Sequence, residues 1–235
     1  MRKKKHGTER LAACSEFIAE KPELSGEDTV WLEIGAGKGG FACGMSSLHP
    51  SVKYFAMERV TDCVVLAAEK AKLCREQGKL GDLKFIMDTA DNLTLLFPNK
   101  SLDAIFLNFS DPWSKKGYAK RRLTHRRYLS VYFNLLKDGG TLTFKTDNVG
   151  LFDFTLEEIE AMGLKPLHLT RDLHASPYME GNVVTEYEAA FSAAGVNINM
   201  VRIVKPEGYA PDMAPELTPD ARRAELERRK AGEDG

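Results

Sequence analysis

The sequence predicts a doubly wound α/β fold around a mostly parallel sheet. Two observations lead to it: short apolar runs alternate with longer amphipathic stretches, and the first run ends in a cluster of glycines. Residues 29–34 (TVWLEI), 53–57 (KYFAM), 83–87 (LKFIM), 103–108 (DAIFLN) and 140–145 (GTLTFK) read as strands. Residues 61–75 and 123–136 repeat apolar side chains at helical spacing. Strands separated by helices imply parallel βαβ units, whose ligands lie beyond the carboxyl ends of the strands. The acids at those ends are therefore candidates for function: Glu33, Glu58, Asp88, Asp111 and Asp147. Further on, Thr185-Glu-Tyr-Glu188 has the form of a capping box, Gly195 is a helix stop, and 196–204 reads as a last strand. Beyond Pro206 the chain turns rich in proline and charge; 206–218 reads as loop, and 219–231 as a short helix or a disordered tail. The expected divisions are a basic arm and first helix (1–28), a main domain (29–205) and a charged tail (206–235).

The 235 residues suit one large domain with short extensions, and the formal net charge of −1 gives no bulk attraction to nucleic acid. Any RNA surface must come from local clusters, at 2–5 and 115–127. No apolar segment follows the charged start and nowhere do eighteen apolar residues run together, so neither a signal peptide nor a membrane span is expected. Cys14, Cys43, Cys63 and Cys74 form no CxxC pair and no metal spacing; packing thiols in a reduced, cytoplasmic protein without a metal are expected. His125 and His168 read as packing or surface residues.

LEIGAGKGG (32–40) follows a strand and precedes a helix, so Gly35 and Gly37 let backbone approach a ligand at a helix N-terminus. Glycines alone also satisfy a dinucleotide pattern. Charge separates the two readings, because Glu33 repels a pyrophosphate but can pair with the ammonium group of an amino-acid-bearing cofactor such as S-adenosylmethionine. Glu58 is placed for ribose hydroxyls, and Asp88 for an adenine amino group or a nearby water.

NFSDPW (108–113) leaves the fourth strand beside that position. Phe109 and Trp113 offer faces on which a base can stack, and Asp111 an acceptor for the donor edge of a guanine. Lys115, Lys116, Lys120, Arg121, Arg122, Arg126 and Arg127 follow within thirteen residues. Arg121, Arg122, Arg126 and Arg127 are expected in the first turns of a helix, where the macrodipole disfavours cations, so an anion should compensate them. Phosphates fill that role and supply salt-sensitive affinity, while the loop selects the base.

On LEIGAGKG (32–39), NFSDPW with Lys115-Lys116 and Lys120-Arg-Arg122, FKTDN (144–148) and Thr185-Glu-Tyr-Glu188, the sequence resembles the bacterial tRNA (guanine-N7)-methyltransferases, the TrmB-type enzymes, over residues 29–205. The resemblance implies a Rossmann-like class I S-adenosylmethionine-dependent methyltransferase with a mostly parallel seven-stranded sheet and helices on both faces. It sets the cofactor against Glu33, Glu58, Asp88 and Asp111, and tRNA against Lys115, Asp147, Thr185, Glu186, Tyr187 and Glu188. The implied reaction methylates a guanine N7 in the tRNA variable loop, with Asp111 and Asp147 favouring the cationic product ring; Asp111 is the candidate catalytic residue. Two departures stand out: Ser114 where the family has proline, and Gly117-Tyr118 where it has Arg-His. The first removes a stiffening ring and the second a basic contact. The rival readings are a small-molecule or protein methyltransferase of this fold, and a non-catalytic RNA-binding protein. Monomer and homodimer both remain open.

Overall fold

The computed structural model describes residues 7–232; the basic cluster at 2–5 lies outside them. Its strands are β1 (Val30–Ile34), β2 (Lys53–Met57), β3 (Leu83–Ile86), β4 (Leu102–Asn108), β5 (Leu136–Thr146), β6 (Pro166–Thr170) and β7 (Asn199–Val204). They form one sheet in the order β3-β2-β1-β4-β5-β7-β6. β1 to β5 pair in parallel, and β7 runs antiparallel to both β5 and β6. The helices are α1 (Gly7–Ala12), α2 (Gly40–Leu48), α3 (Thr61–Glu76), α4 (Leu93–Leu96), α5 (Arg126–Leu135), α6 (Val149–Ala161), α7 (Glu186–Ala193) and α8 (Pro219–Ala231).

The central strands are apolar throughout because helices cover both faces. On one face Leu32, Phe55 and Leu107 pack with Tyr132, Phe133 and Phe152 of α5 and α6. On the other, Tyr54, Phe85 and Phe106 meet Phe41 of α2 and Ala67 and Ala68 of α3. Small residues on α3 bring it close to the glycine loop: a Cβ on Gly39 would lie 2.7 Å from that of Ala67, and Gly39 has φ +72°. Glycine is required there on both counts.

The strand order reverses between β1 and β4, which opens a crevice at their carboxyl ends. The glycine loop leaves one of these strands and the Asp-Pro-Trp loop the other. Two sequence expectations change. β6 goes unread as a separate run because it starts with Pro166, is largely exposed and pairs with β7 alone, the signature of an edge strand. α5 begins at Arg126, so Arg121 closes a 3-10 turn (Lys116–Arg121) and Arg122 is extended. His125 caps α5, its Nδ1 accepting from the Arg127 amide at 3.1 Å. The short-helix reading of 219–231 holds as α8, and the loop before it is anchored by Leu217, 1% exposed within the core. Among the described residues no helix is long and apolar enough to cross a membrane.

Candidate active site

A cleft of about 630 Å³ opens at the crevice, lined by Gly35, Glu58, Asp88, Asn108, Asp111 and Trp113 among others. Four of the expected cofactor-binding residues, Gly35, Glu58, Asp88 and Asp111, thus share one cavity from four segments of chain, and Arg121 and Arg127 of the basic cluster line it as well. Gly35 and Gly37 have φ +83° and +53°, and a Cβ on either would meet open space, so the loop offers bare backbone to a ligand. Glu58 braces this loop, one carboxylate oxygen accepting from the Gly37 amide and the other from the Val60 amide, both at 2.9 Å. Asp88 accepts from the Thr89 amide and Asn92 Nδ2, each at 2.7 Å, through the same oxygen.

Glu33 lies behind the lining, 2% exposed. Asn108 Nδ2 donates to its Oε1 at 2.9 Å. Burial raises its carboxyl to about 7, against the opposing effects of Asn108 and the Lys145 charge. Its Oε2, Asn108 Oδ1 and Ser110 Oγ are buried without a protein partner. Three orphaned polar atoms beside a cleft lined by Gly35 fit a ligand carrying its own donors and a positive charge, as S-adenosylmethionine does.

The wall opposite is the Asn108–Trp113 loop. Phe109 and Trp113 hold left-handed backbone, φ +52° and +41°, a strained conformation for large side chains. Arg122 clamps it: Nε donates to the Pro112 carbonyl at 2.9 Å and Nη2 to that of Trp113 at 3.3 Å, while the guanidinium lies 4.3 Å from the Phe154 ring. The loop thus has a fastening in place of the missing proline at 114. Arg121 sits over both Trp113 and Tyr118, at 5.1 and 4.7 Å. Tyr118, where the family has a basic residue, meets Trp113 edge to face at 5.9 Å.

The anions expected near the basic cluster come partly from the chain itself. Arg126 forks onto buried Glu158 through Nε (3.0 Å) and Nη2 (2.8 Å), and its amide donates to the same carboxylate at 2.6 Å. Burial would raise that carboxyl, but Arg126 holds it below the usual range. Arg127 pairs with Asp91 at 2.9 Å and Glu216 at 3.4 Å. Lys115, Lys116, Lys120 and Arg121 are exposed, with no carboxylate partner among the described residues.

Thr185 caps α7 as expected, its hydroxyl accepting from the Glu188 amide at 2.9 Å. The Glu188 side chain does not close the box. It is fully buried and takes Lys145 Nζ at 2.7 Å, Asn182 Nδ2 at 2.8 Å and His174 Nε2 at 2.9 Å. Burial alone would raise Glu188, but Lys145 and the other donors hold it low. Lys145 also donates to Asn182 Oδ1 at 2.8 Å and lies 4.8 Å from the Phe41 ring. Sequence reasoning missed this buried lysine; its one signal is a charge at an inward position of an apolar strand. Glu186 pairs with Lys70 beside Gly40, and Tyr187 packs on Phe109 at 4.9 Å and Phe191 at 4.4 Å, 47% exposed. The segment 185–188 therefore adjoins both loops, with Asp147 close enough to Tyr187 to raise its hydroxyl beyond the effect of burial.

Residues 27–201 match the methyltransferase family model Methyltransf_4, that of the TrmB-type enzymes. The chain belongs to the TrmB family of tRNA (guanine-N7)-methyltransferases. Its cofactor is S-adenosylmethionine, whose requirements the orphaned atoms and open glycines meet. Similar solved structures include the 16S rRNA methyltransferase KamB, 12% identical, TM-score 0.58, covering 83% of this chain and 94% of that one. A 16S rRNA (adenine(1408)-N(1))-methyltransferase from Catenulisporales acidiphilia, with cosubstrate SAM, is 12% identical with TM-score 0.53 over 88% and 94%. The [4+2]-cyclase SpnF is 16% identical with TM-score 0.52 over 86% and 82%. At these identities the likeness is one of fold, and the family match assigns the methyltransferase chemistry.

Proposed function

We propose that this cytoplasmic enzyme methylates N7 of a guanine in the variable loop of tRNA, giving 7-methylguanosine. One observation carries the reading: Asp111 and Trp113, a carboxylate and a ring, line the same cleft as the cofactor-side residues Gly35, Glu58 and Asp88. Lys115, Lys116, Lys120 and Arg121 continue from that loop into solvent, suited to phosphates. Bound in the cleft, S-adenosylmethionine supplies an electrophilic methyl group. Guanine N7 carries a lone pair and no proton, so no residue has to remove one. The side chains then position the base and favour charge. Phe109, Trp113 and Tyr187 supply flat faces; Asp111 and Asp147 accept from the base and attract the ring as it becomes cationic. Glu186 and Glu188 contribute indirectly, tethering 185–188 to α3 and β5 respectively.

Acceptors test this directly. Unmodified tRNA should take label from S-adenosylmethionine, whereas free guanosine should not; label on a small molecule or protein would favour another substrate class, and tRNA binding without transfer a non-catalytic role. Asp111→Asn should lower turnover more than tRNA binding, and equal losses in both would refute its assignment as the catalytic residue.

A further inference from the structure

The chain beyond β7 lies outside residues 27–201 yet packs onto the wall of the cleft. Leu217 enters the core, and its carbonyl accepts from the Thr94 hydroxyl at 2.9 Å. Glu216 meets Arg127, which in turn holds Asp91. α8 then brings Arg222 against the turn after β3. Arg222 is 9% exposed, and among the described residues it forms no ion pair. Its Nε and Nη2 both donate to Oδ1 of Asn92, at 3.2 and 2.9 Å. The Nδ2 of that amide donates to Asp88 Oδ1 at 2.7 Å. A guanidinium only donates and a carboxylate only accepts, so an amide between them has a single orientation that satisfies both. The buried cation fixes the amide, and the amide fixes the carboxylate. With Thr89 and Asn92 both on Oδ1, Asp88 Oδ2 has no protein partner among the described residues, on a side chain that lines the cleft.

We infer that Arg222 is a positioning residue for the cofactor: the C-terminal segment docks on the turn at 88–92 and, through Asn92, presets Asp88 to receive S-adenosylmethionine. This rests on the reading of Asp88 as a cofactor-binding residue. The coupling is reciprocal, since a ligand that favours the preset carboxylate also favours the docked α8.

Calorimetric titration of the full chain with S-adenosylmethionine tests it, using the wild type, Arg222→Met, Asp88→Ala and the double variant. Methionine keeps much of the buried apolar stem and removes the donors. Arg222→Met should raise Kd about tenfold, the worth of one hydrogen bond, without changing tRNA affinity measured in the absence of cofactor. In the Asp88→Ala background it should have no further effect. Asn92→Ala, which removes the bridge and leaves α8 intact, should reproduce the loss even if Arg222→Met does not fold. Wild-type affinity in Arg222→Met or Asn92→Ala, or additive losses in the double variant, overturns the inference and leaves the reading of Asp88 standing. Wild-type affinity in Asp88→Ala refutes that reading and the inference with it.

Discussion

Replacing Glu33 by Gln should remove a pH dependence from the stability of the cofactor-free protein. The unfolded chain ionises this carboxyl near 4.5, whereas burial holds it protonated in the fold up to about 7. Between those values the folded state holds this proton more tightly, so the contribution of Glu33 to stability is greatest below 4.5 and is lost as pH rises through 7. At about 1.4 kcal/mol per tenfold difference, the full span amounts to about 3 kcal/mol. Urea unfolding of the apo protein between pH 4.5 and 8 measures it: wild type should lose about 3 kcal/mol more than Glu33→Gln over that range, the glutamine retaining the volume and an acceptor for Asn108. A cationic ligand reverses the preference. Below pH 7, S-adenosylmethionine should bind wild type with release of a proton, its affinity rising from pH 5 to 7, and this rise should flatten in the variant. Identical pH profiles for the two proteins, free and bound, would refute the assignment of Glu33 as a buried acid ionised by the cofactor.

Lys145→Met should cost about 3–5 kcal/mol by stranding the Glu188 charge, and adding Glu188→Leu should recover most of it while tRNA KM stays raised; thermal melts with kinetics of the pair decide. Alanine at Lys115, Lys116, Lys120 and Arg121 should flatten the salt dependence of tRNA binding, by roughly 0.7 to 0.9 in log–log slope for each phosphate no longer neutralised. Arg126→Ala, by contrast, should leave that slope alone and lower stability by about 1 kcal/mol, a value discounted for the exposure of its side chain. Gly39→Ala should destabilise by at least about 2 kcal/mol in urea titrations, having both a left-handed φ and a collision with Ala67 to accommodate.

The sheet is legible in the sequence because its central strands are buried on both faces and so spell unbroken apolar runs, and the glycine loop because its backbone needs φ values open to glycine. Glu33, Glu58, Asp88 and Asp111 can be located from strand ends alone. What the sequence cannot divide is the basic cluster. Seven cations look alike in one dimension, but Arg122, Arg126 and Arg127 find partners at Pro112, Glu158 and Asp91, set by hydrogen bonds between residues 9 to 36 positions apart. The start of α5 is misread for a related reason: Leu123 keeps the helical period, while the His125 cap and the extended backbone of Arg122 delay the helix. For 219–231 composition leaves a short helix and a disordered tail as alternatives; the structure has the helix, and the burial of Leu217 and Arg222, which composition does not show, holds it in place. Lys145 and Glu188 are 43 positions apart, and nothing in their local sequence pairs them.

The most direct test of guanine-N7 transfer combines label from S-adenosylmethionine with borohydride–aniline cleavage of the tRNA product. Strand scission at a single guanine in the variable loop, in step with the label, is the predicted result. Label in tRNA without scission, or scission elsewhere, would contradict it.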